Sequence, residues 1–207
     1  MTFLSDSEKQ QIATAIAAAE RKTRGELVTV ITARSDDYRY IPFLWAALLS
    51  LLVPGILSLL DNPLTWNMAY LVQICTFLGT AAVINWTPLK IRLIPRTVKQ
   101  LRAHRLAQEQ FFIQKLHLTR ERTGVLLFVS VAEHYVEIIA DQGINDVVTV
   151  NAWQTIVSEF VCQIRSKQVA DGFLTAIAAC GKLLASHFPA KDGSRNELPN
   201  HLVELQD

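Results

Sequence analysis

Two apolar, β-branched runs in this chain are each followed by oxygen-bearing side chains. Asp36 and Asp37 come after Glu26–Thr32, and Asp141, Asn145 and Asp146 come after Tyr135–Ala140. Carboxylate and amide oxygens suit Ca2+ or Mg2+, and an ion held that way polarises phosphoryl oxygens and activates water. Convergence of the five requires the ends of the two runs to lie side by side. The same residues also read as a helix cap and turn (141–146) and as punctuation before the next apolar segment (Asp36, Asp37).

Other chemistries have less support. His104, His117, His134, His187 and His201 are scattered, with no i, i+4 pair and no HExxH, so zinc chemistry is not expected. No GxSxG, P-loop or GxGxxG occurs, which removes the usual support for acyl transfer and nucleotide binding. Cys75, Cys162 and Cys180 show no CxxC spacing and read as small buried thiols in a reducing compartment. Catalytic residues stay unassigned.

The elements that would position these groups can be read from periodicity. Ser5 and Glu8 form a capping-box pair ahead of Ile12, Ala15, Ile16 and Ala19, which predicts an amphipathic first helix ending near Thr23–Gly25. Glu26–Thr32 is short and β-branched, hence a buried strand. The stretches 124–131 and 135–140 are separated only by Ala132, Glu133 and His134, and predict an antiparallel pair with the first strand central. On the second strand, Val136, Ile138 and Ala140 would face one layer and Tyr135, Glu137 and Ile139 the other. Two helices follow, one capped by Asn151 and one opened by Asp171. A last apolar patch, Leu198, Leu202, Val203 and Leu205, reads as a docked cap or as a peptide for a partner. The fold class is therefore α/β (α+β), a small sheet packed with helices.

The middle of the chain has a different character. Residues 41–60 and 62–89 contain no Asp, Glu, Lys or Arg and are split only by Asp61. Each reaches the roughly 20 residues needed to cross a hydrocarbon core about 30 Å thick, so they predict a transmembrane hairpin. As buried helices of a soluble protein they would need a core larger than the remaining sequence can build. Pro54 and Gly55 predict a kink or a shortened first span.

Charge sets the orientation. The whole chain is +1, yet between positions 90 and 122 nine Lys and Arg residues face only Glu109 and Glu121. Lys90, Arg92, Arg96, Lys99, Arg102 and Arg105 form a membrane-surface stretch suited to anionic headgroups, whereas the link at Asp61, Asn62 and Pro63 has no cation. No secretory signal precedes the apolar pair, so both termini are expected in the cytoplasm. Nucleic acid is not an expected partner, because the bilayer already accounts for the cations and no aromatic platform accompanies them. A membrane-protein partner is compatible with the pattern, and the oligomeric state is not legible.

The order of helix, Thr-Arg-Gly-Glu-Leu-Val-Thr-Val-Ile, helix, Thr-Gly-Val-Leu-Leu-Phe-Val-Ser, turn and Val-Glu-Ile-Ile-Ala-Asp-Gln-Gly-Ile resembles the TPM domain family. That family includes a thylakoid-lumen acid phosphatase and bacterial membrane proteins. The matching pieces are 3–8, 23–32, 123–130, 135–144 and 152–188, including Ala170, Asp171 and Gly172. Where typical members carry a Gly-Tyr-Gly-Leu-Glu-like turn, this chain has Asp141–Asp146, and the apolar hairpin interrupts the segment between first strand and second helix. The resemblance implies a TPM-like fold in a bacterial inner-membrane, multi-pass protein. Its expected role is a binding or assembly module, with a membrane-tethered, divalent-metal-dependent phosphatase as the alternative. The expected organisation is 1–39 (first helix and strand), 40–89 (hairpin), 90–188 (remainder of the domain) and 189–207 (polar tail).

Overall fold

The computed structural model describes residues 4–59, 65–86, 89–166, 168–191 and 197–205. Phe3, the Asp61–Asn62–Pro63 link and tail residues 192–196 therefore lie outside the described residues. The chain forms two compact units, one made of Met1–Ser35 with Gln100–Asp207 and the other of Asp36–Lys99.

The first unit is built on a four-stranded sheet of order β3-β2-β1-β4, with β1 at Glu26–Thr32, β2 at Gly124–Ser130, β3 at Tyr135–Ala140 and β4 at Leu202–Leu205. β1 runs parallel to β2 and β4, and β3 is antiparallel to β2. Every residue of β1 and β2 is buried, as strands covered on both faces must be.

Alternation sorts the strand side chains into two layers. Leu27, Ile31, Val125, Leu127, Val129, Val136 and Ala140 pack on one face with α1 (Asp6–Glu20), α7 (Val150–Arg165) and α8 (Val169–His187). Val28, Val30, Leu126 and Phe128 face the other way, onto Ala103, Ala107 and Phe111 of α5 (Arg96–Ile113), joined by Tyr135 and Ile139. The predicted split of β3 into two layers is therefore observed. Parallel β1 and β2 require a crossover, and α5 supplies the helix that covers the sheet within it.

Local chemistry explains several element ends. α1 begins with the predicted capping box, Ser5 and Glu8 each bonding the other's backbone N–H. Gly124 opens β2 where a 3-10 turn, Leu116–Leu118, crosses closely: a Cβ there would stand 2.5 Å from the Leu116 carbonyl oxygen. Gly172 lets α8 approach α7, since a Cβ would meet the Phe160 ring at 2.5 Å.

Two expectations are corrected in detail, and two are made specific. α7 starts two residues earlier than an Asn151 cap implies, with Thr149 at the cap position, and Asp171 lies in the first turn of α8 rather than opening it. The 141–146 stretch contains a short helix, α6 (Gln142–Asn145), as well as turns. Of the tail, Leu202–Leu205 is docked as β4, an extra strand on the edge of β1.

The second unit is dominated by an antiparallel pair, α2 (Tyr40–Leu59) and α3 (Trp66–Trp86), followed by the single turn α4 (Leu89–Arg92). α2 continues through Pro54 without interruption, so the shortened span is not observed. Both helices are long and apolar enough to cross a membrane. At the base, Tyr38, Ile41 and Ile94 bury one another. α8 also meets the length and composition requirement, but Phe173, Ala176, Ile177, Cys180 and Leu184 along it are buried in the first unit's core.

Candidate functional site

The sheet register decides which of the acidic residues can meet. Leu27 pairs with Val125 and Val125 with Ala140, whereas Thr32 pairs with Ser130 and Ser130 with Tyr135. The C-terminal end of β3 therefore lies, across β2, at the same end of the sheet as the beginning of β1, not its end. The five-oxygen arrangement required those two C-terminal ends side by side; they lie at opposite edges of the sheet, because the hairpin reverses β3 relative to β1.

Asp141, Asn145 and Asp146 are together on the α6 turn. Asp141 is 6% exposed and caps α6, its Oδ1 accepting the Gln142 N–H at 2.7 Å. Its Oδ2 is 3.0 Å from Arg122 Nε, an ion pair that lacks hydrogen-bond alignment and leaves this oxygen without a hydrogen bond. Asn145 donates its side-chain N–H to the Ala140 carbonyl at 2.7 Å, and Asp146 is the exposed C-terminal cap. Asp36 and Asp37 belong to the second unit, where Asp36 accepts the Tyr38 N–H and Asp37 pairs with Arg39, both at 3.0 Å. Among the described residues, no group of three or more His, Cys, Asp or Glu side chains is placed to hold a metal ion.

Three polar networks that the sequence did not single out stand around the sheet. At its α6 end, Glu20 Oε1 accepts the Leu27 N–H at 2.9 Å, and the Glu26 carboxylate accepts the N–H groups of Glu197 and Leu198 at 3.0 and 3.2 Å. Burial pushes the Glu20 carboxyl up to about 7, with the Glu26 charge adding to the effect, and burial raises Glu26 as well. Glu20 Oε2 is buried without a hydrogen bond of good geometry among the described residues, although the Asn200 side chain approaches closely enough to oppose the shift. Arg24 pairs with Glu121 alongside.

At the other end, Glu133 accepts the Ser35 N–H at 3.0 Å and the Ser130 hydroxyl, and the Ser130 and Ser35 hydroxyls are 2.8 Å apart. Ser130 is fully buried, so this network ties the β2–β3 turn to the end of β1 rather than presenting a nucleophile.

On the α5 face, His104 Nδ1 is 2.8 Å from Glu137 Oε1, while the Tyr135 hydroxyl donates to Glu137 Oε2 at 3.0 Å. Burial and then the Glu137 charge push the Tyr135 phenol up, so it stays a donor. The His104 side chain is 42% exposed. Glu137 thus orients the part-exposed His104 ring through Nδ1, the kind of arrangement by which a carboxylate positions an imidazole for acid–base chemistry. Only the shared face of Tyr135 and Glu137 was visible in the sequence; His104 joins them from 33 residues away. Of the three cysteines expected to be buried only Cys180 is, and burial pushes its thiol up to about 12, which leaves it unreactive; Cys75 and Cys162 lie on exposed helix faces.

The cations expected at a membrane surface divide between the units. Lys90 and Arg92 on α4 and Arg96 and Lys99 at the start of α5 belong to the second, and Arg102 and Arg105 to the first. Arg92, Arg96 and Arg105 are exposed, and the other three are half-buried.

Residues 89–183, from α4 into α8, match the family model of the TPM domain. The chain carries a TPM domain. α1 and β1 lie outside the matched residues, although β1 is an inner strand of the same sheet. Among solved structures, the chain is similar to the BA42 protein from the psychrophilic bacterium Bizionia argentinensis, determined by NMR. The two are 22% identical with a TM-score of 0.63, over 98% of this chain and 96% of that one, a likeness of fold. No curated protein matches the chain.

Proposed function

We propose that the chain is a two-pass protein of the bacterial inner membrane, both termini cytoplasmic, that presents its TPM domain as a binding or assembly module. The observation that carries this reading is the surface of α3. Of its 21 residues only Ile84 is buried, while Leu71, Ile74, Leu78 and Val83 are 55–62% exposed. Such a surface is unfavourable in water by about 25 cal/mol per Å² and at ease in hydrocarbon. The cations that begin at Lys90, against none from Tyr40 to Leu89, support cytoplasmic flanks.

A second reading is a membrane-tethered phosphatase using Ca2+ or Mg2+ at Asp36, Asp37, Asp141, Asn145 and Asp146. In its favour is the buried Asp141 Oδ2 without an aligned hydrogen bond. Against it stand the Arg122 ion pair and the separation of the β1 and β3 ends.

The full-length chain is expected to stay with membranes through alkaline carbonate and to leave them only in detergent. With the native exposed cysteines replaced by serine, Asn62→Cys should react with an impermeant thiol label in cells with a permeabilised outer envelope, while terminal tags stay shielded. Recovery of the chain in the soluble fraction, or labelling of the tags, would overturn the topology. Phosphomonoester turnover that depends on Mg2+ or Ca2+ and disappears in Asp141→Ala would select the phosphatase over the binding module.

A further inference from the structure

The second unit holds a groove of about 510 Å³ between α2 and α3, almost entirely apolar, lined by residues including Trp45 and Leu49 of α2, Gly79 and Val83 of α3, and Leu93. On α3 it runs from Cys75 to Ile84, about 14 Å at 1.5 Å per residue. That is about half of the roughly 30 Å hydrocarbon thickness, the depth of one leaflet. A helix of a second copy would follow the pair across both leaflets, whereas a lipid tail ends at the midplane.

The charge at the groove's end points the same way. Leu93, which closes the lining, stands between Arg92 and Arg96, with Lys90 on the preceding turn. Among the described residues none of these three cations is ion-paired. The nearby carboxylates of the unit are engaged, Asp37 with Arg39 and Asp36 with the Tyr38 N–H. An apolar groove one leaflet deep, with Leu93 in its lining and Lys90, Arg92 and Arg96 adjacent to Leu93 in sequence, matches an acyl chain carrying a negative headgroup.

We propose that the groove binds an anionic phospholipid of the cytoplasmic leaflet, its tail along Gly79 and Val83 and its phosphate at Lys90, Arg92 and Arg96. This rests on the reading of α2 and α3 as membrane spans. A side chain added at Gly79 would enter open space, since its Cβ would meet nothing within 4 Å, so Gly79→Phe fills the groove without displacing a neighbour's backbone. Leu78 is 61% exposed outside the lining, and Leu78→Phe is the control.

The test is retention of lipid by the full-length chain, purified in detergent after reconstitution into equal parts phosphatidylglycerol and phosphatidylcholine, with bound lipid counted by mass spectrometry. The wild type and Leu78→Phe should retain phosphatidylglycerol in preference to phosphatidylcholine. Gly79→Phe should retain at least about tenfold less, and Lys90→Gln with Arg92→Gln and Arg96→Gln should lose the preference. Equal retention in Gly79→Phe and wild type, or no headgroup preference in the wild type, would overturn the proposal. A Cys75–Cys75 disulfide between copies in a Cys162→Ser background would overturn it too, by placing a second chain in the groove. These results are read on protein already in membranes; failure of the chain to enter membranes would instead refute the spanning hairpin.

Discussion

Phe173→Ala is expected to destabilise the first unit by about 3–5 kcal/mol, as the removal of a fully buried ring usually does. Phe173 is completely inaccessible and meets Phe160 edge to face, ring centroids 5.0 Å apart. Against a typical stability of about 5–15 kcal/mol, a loss of this size should lower the urea midpoint of the detergent-solubilised chain strongly. The substitution also decides what α8 is, because length and composition alone would let it cross a bilayer. Ala178 is exposed on the same helix. Ala178→Lys should change the midpoint by no more than about 0.5 kcal/mol if that face meets water. If α8 spanned the membrane, the order would invert: the lysine would be the damaging change.

The second large effect is a pH dependence centred on Glu20. A carboxyl whose pKa rises from 4.5 in the open chain to about 7 in the folded protein binds more protons when folded. Its contribution is thus complete below about pH 4.5 and is lost as pH rises through 7. Glu26 is shifted in the same direction by burial and adds to the trend. Glu20→Gln keeps an acceptor for the Leu27 N–H and removes the buried charge. The variant should be more stable than wild type at pH 8, by an amount on the order of 2 kcal/mol, and level with it near pH 4. Urea midpoints at the two values measure this; a constant difference between variant and wild type at both would exclude Glu20 as the group responsible.

The strands that sequence reasoning located were those with no competing interpretation. Glu26–Thr32 and Gly124–Ser130 are buried on both faces, so their apolar runs are unbroken, and the short link before Tyr135 left only a hairpin. β4 was harder to see, because Leu-Val-Glu-Leu is four residues long and acquires strand geometry only by pairing with β1. For the acidic residues, what the sequence did not reveal was strand direction. An antiparallel hairpin following a parallel crossover must return the end of β3 to the start of β1, and this separates the strand ends that Asp36 and Asp141 follow. His104 and Glu137 could not be paired beforehand, since their contact depends on how α5 rotates on the sheet.

Placing α2 and α3 inside the β1–β2 crossover has a consequence for biosynthesis. β1 leaves the ribosome first, yet its neighbour β2 begins only at Gly124, after both apolar helices have been made. Until then α1 and β1 lack the sheet partner that buries them, and closing so long a loop carries an entropic penalty. On the two-pass reading proposed above, insertion of the hairpin should precede completion of the sheet, and a nascent chain halted before Gly124 should display Leu27–Ile31 to chaperones and proteases.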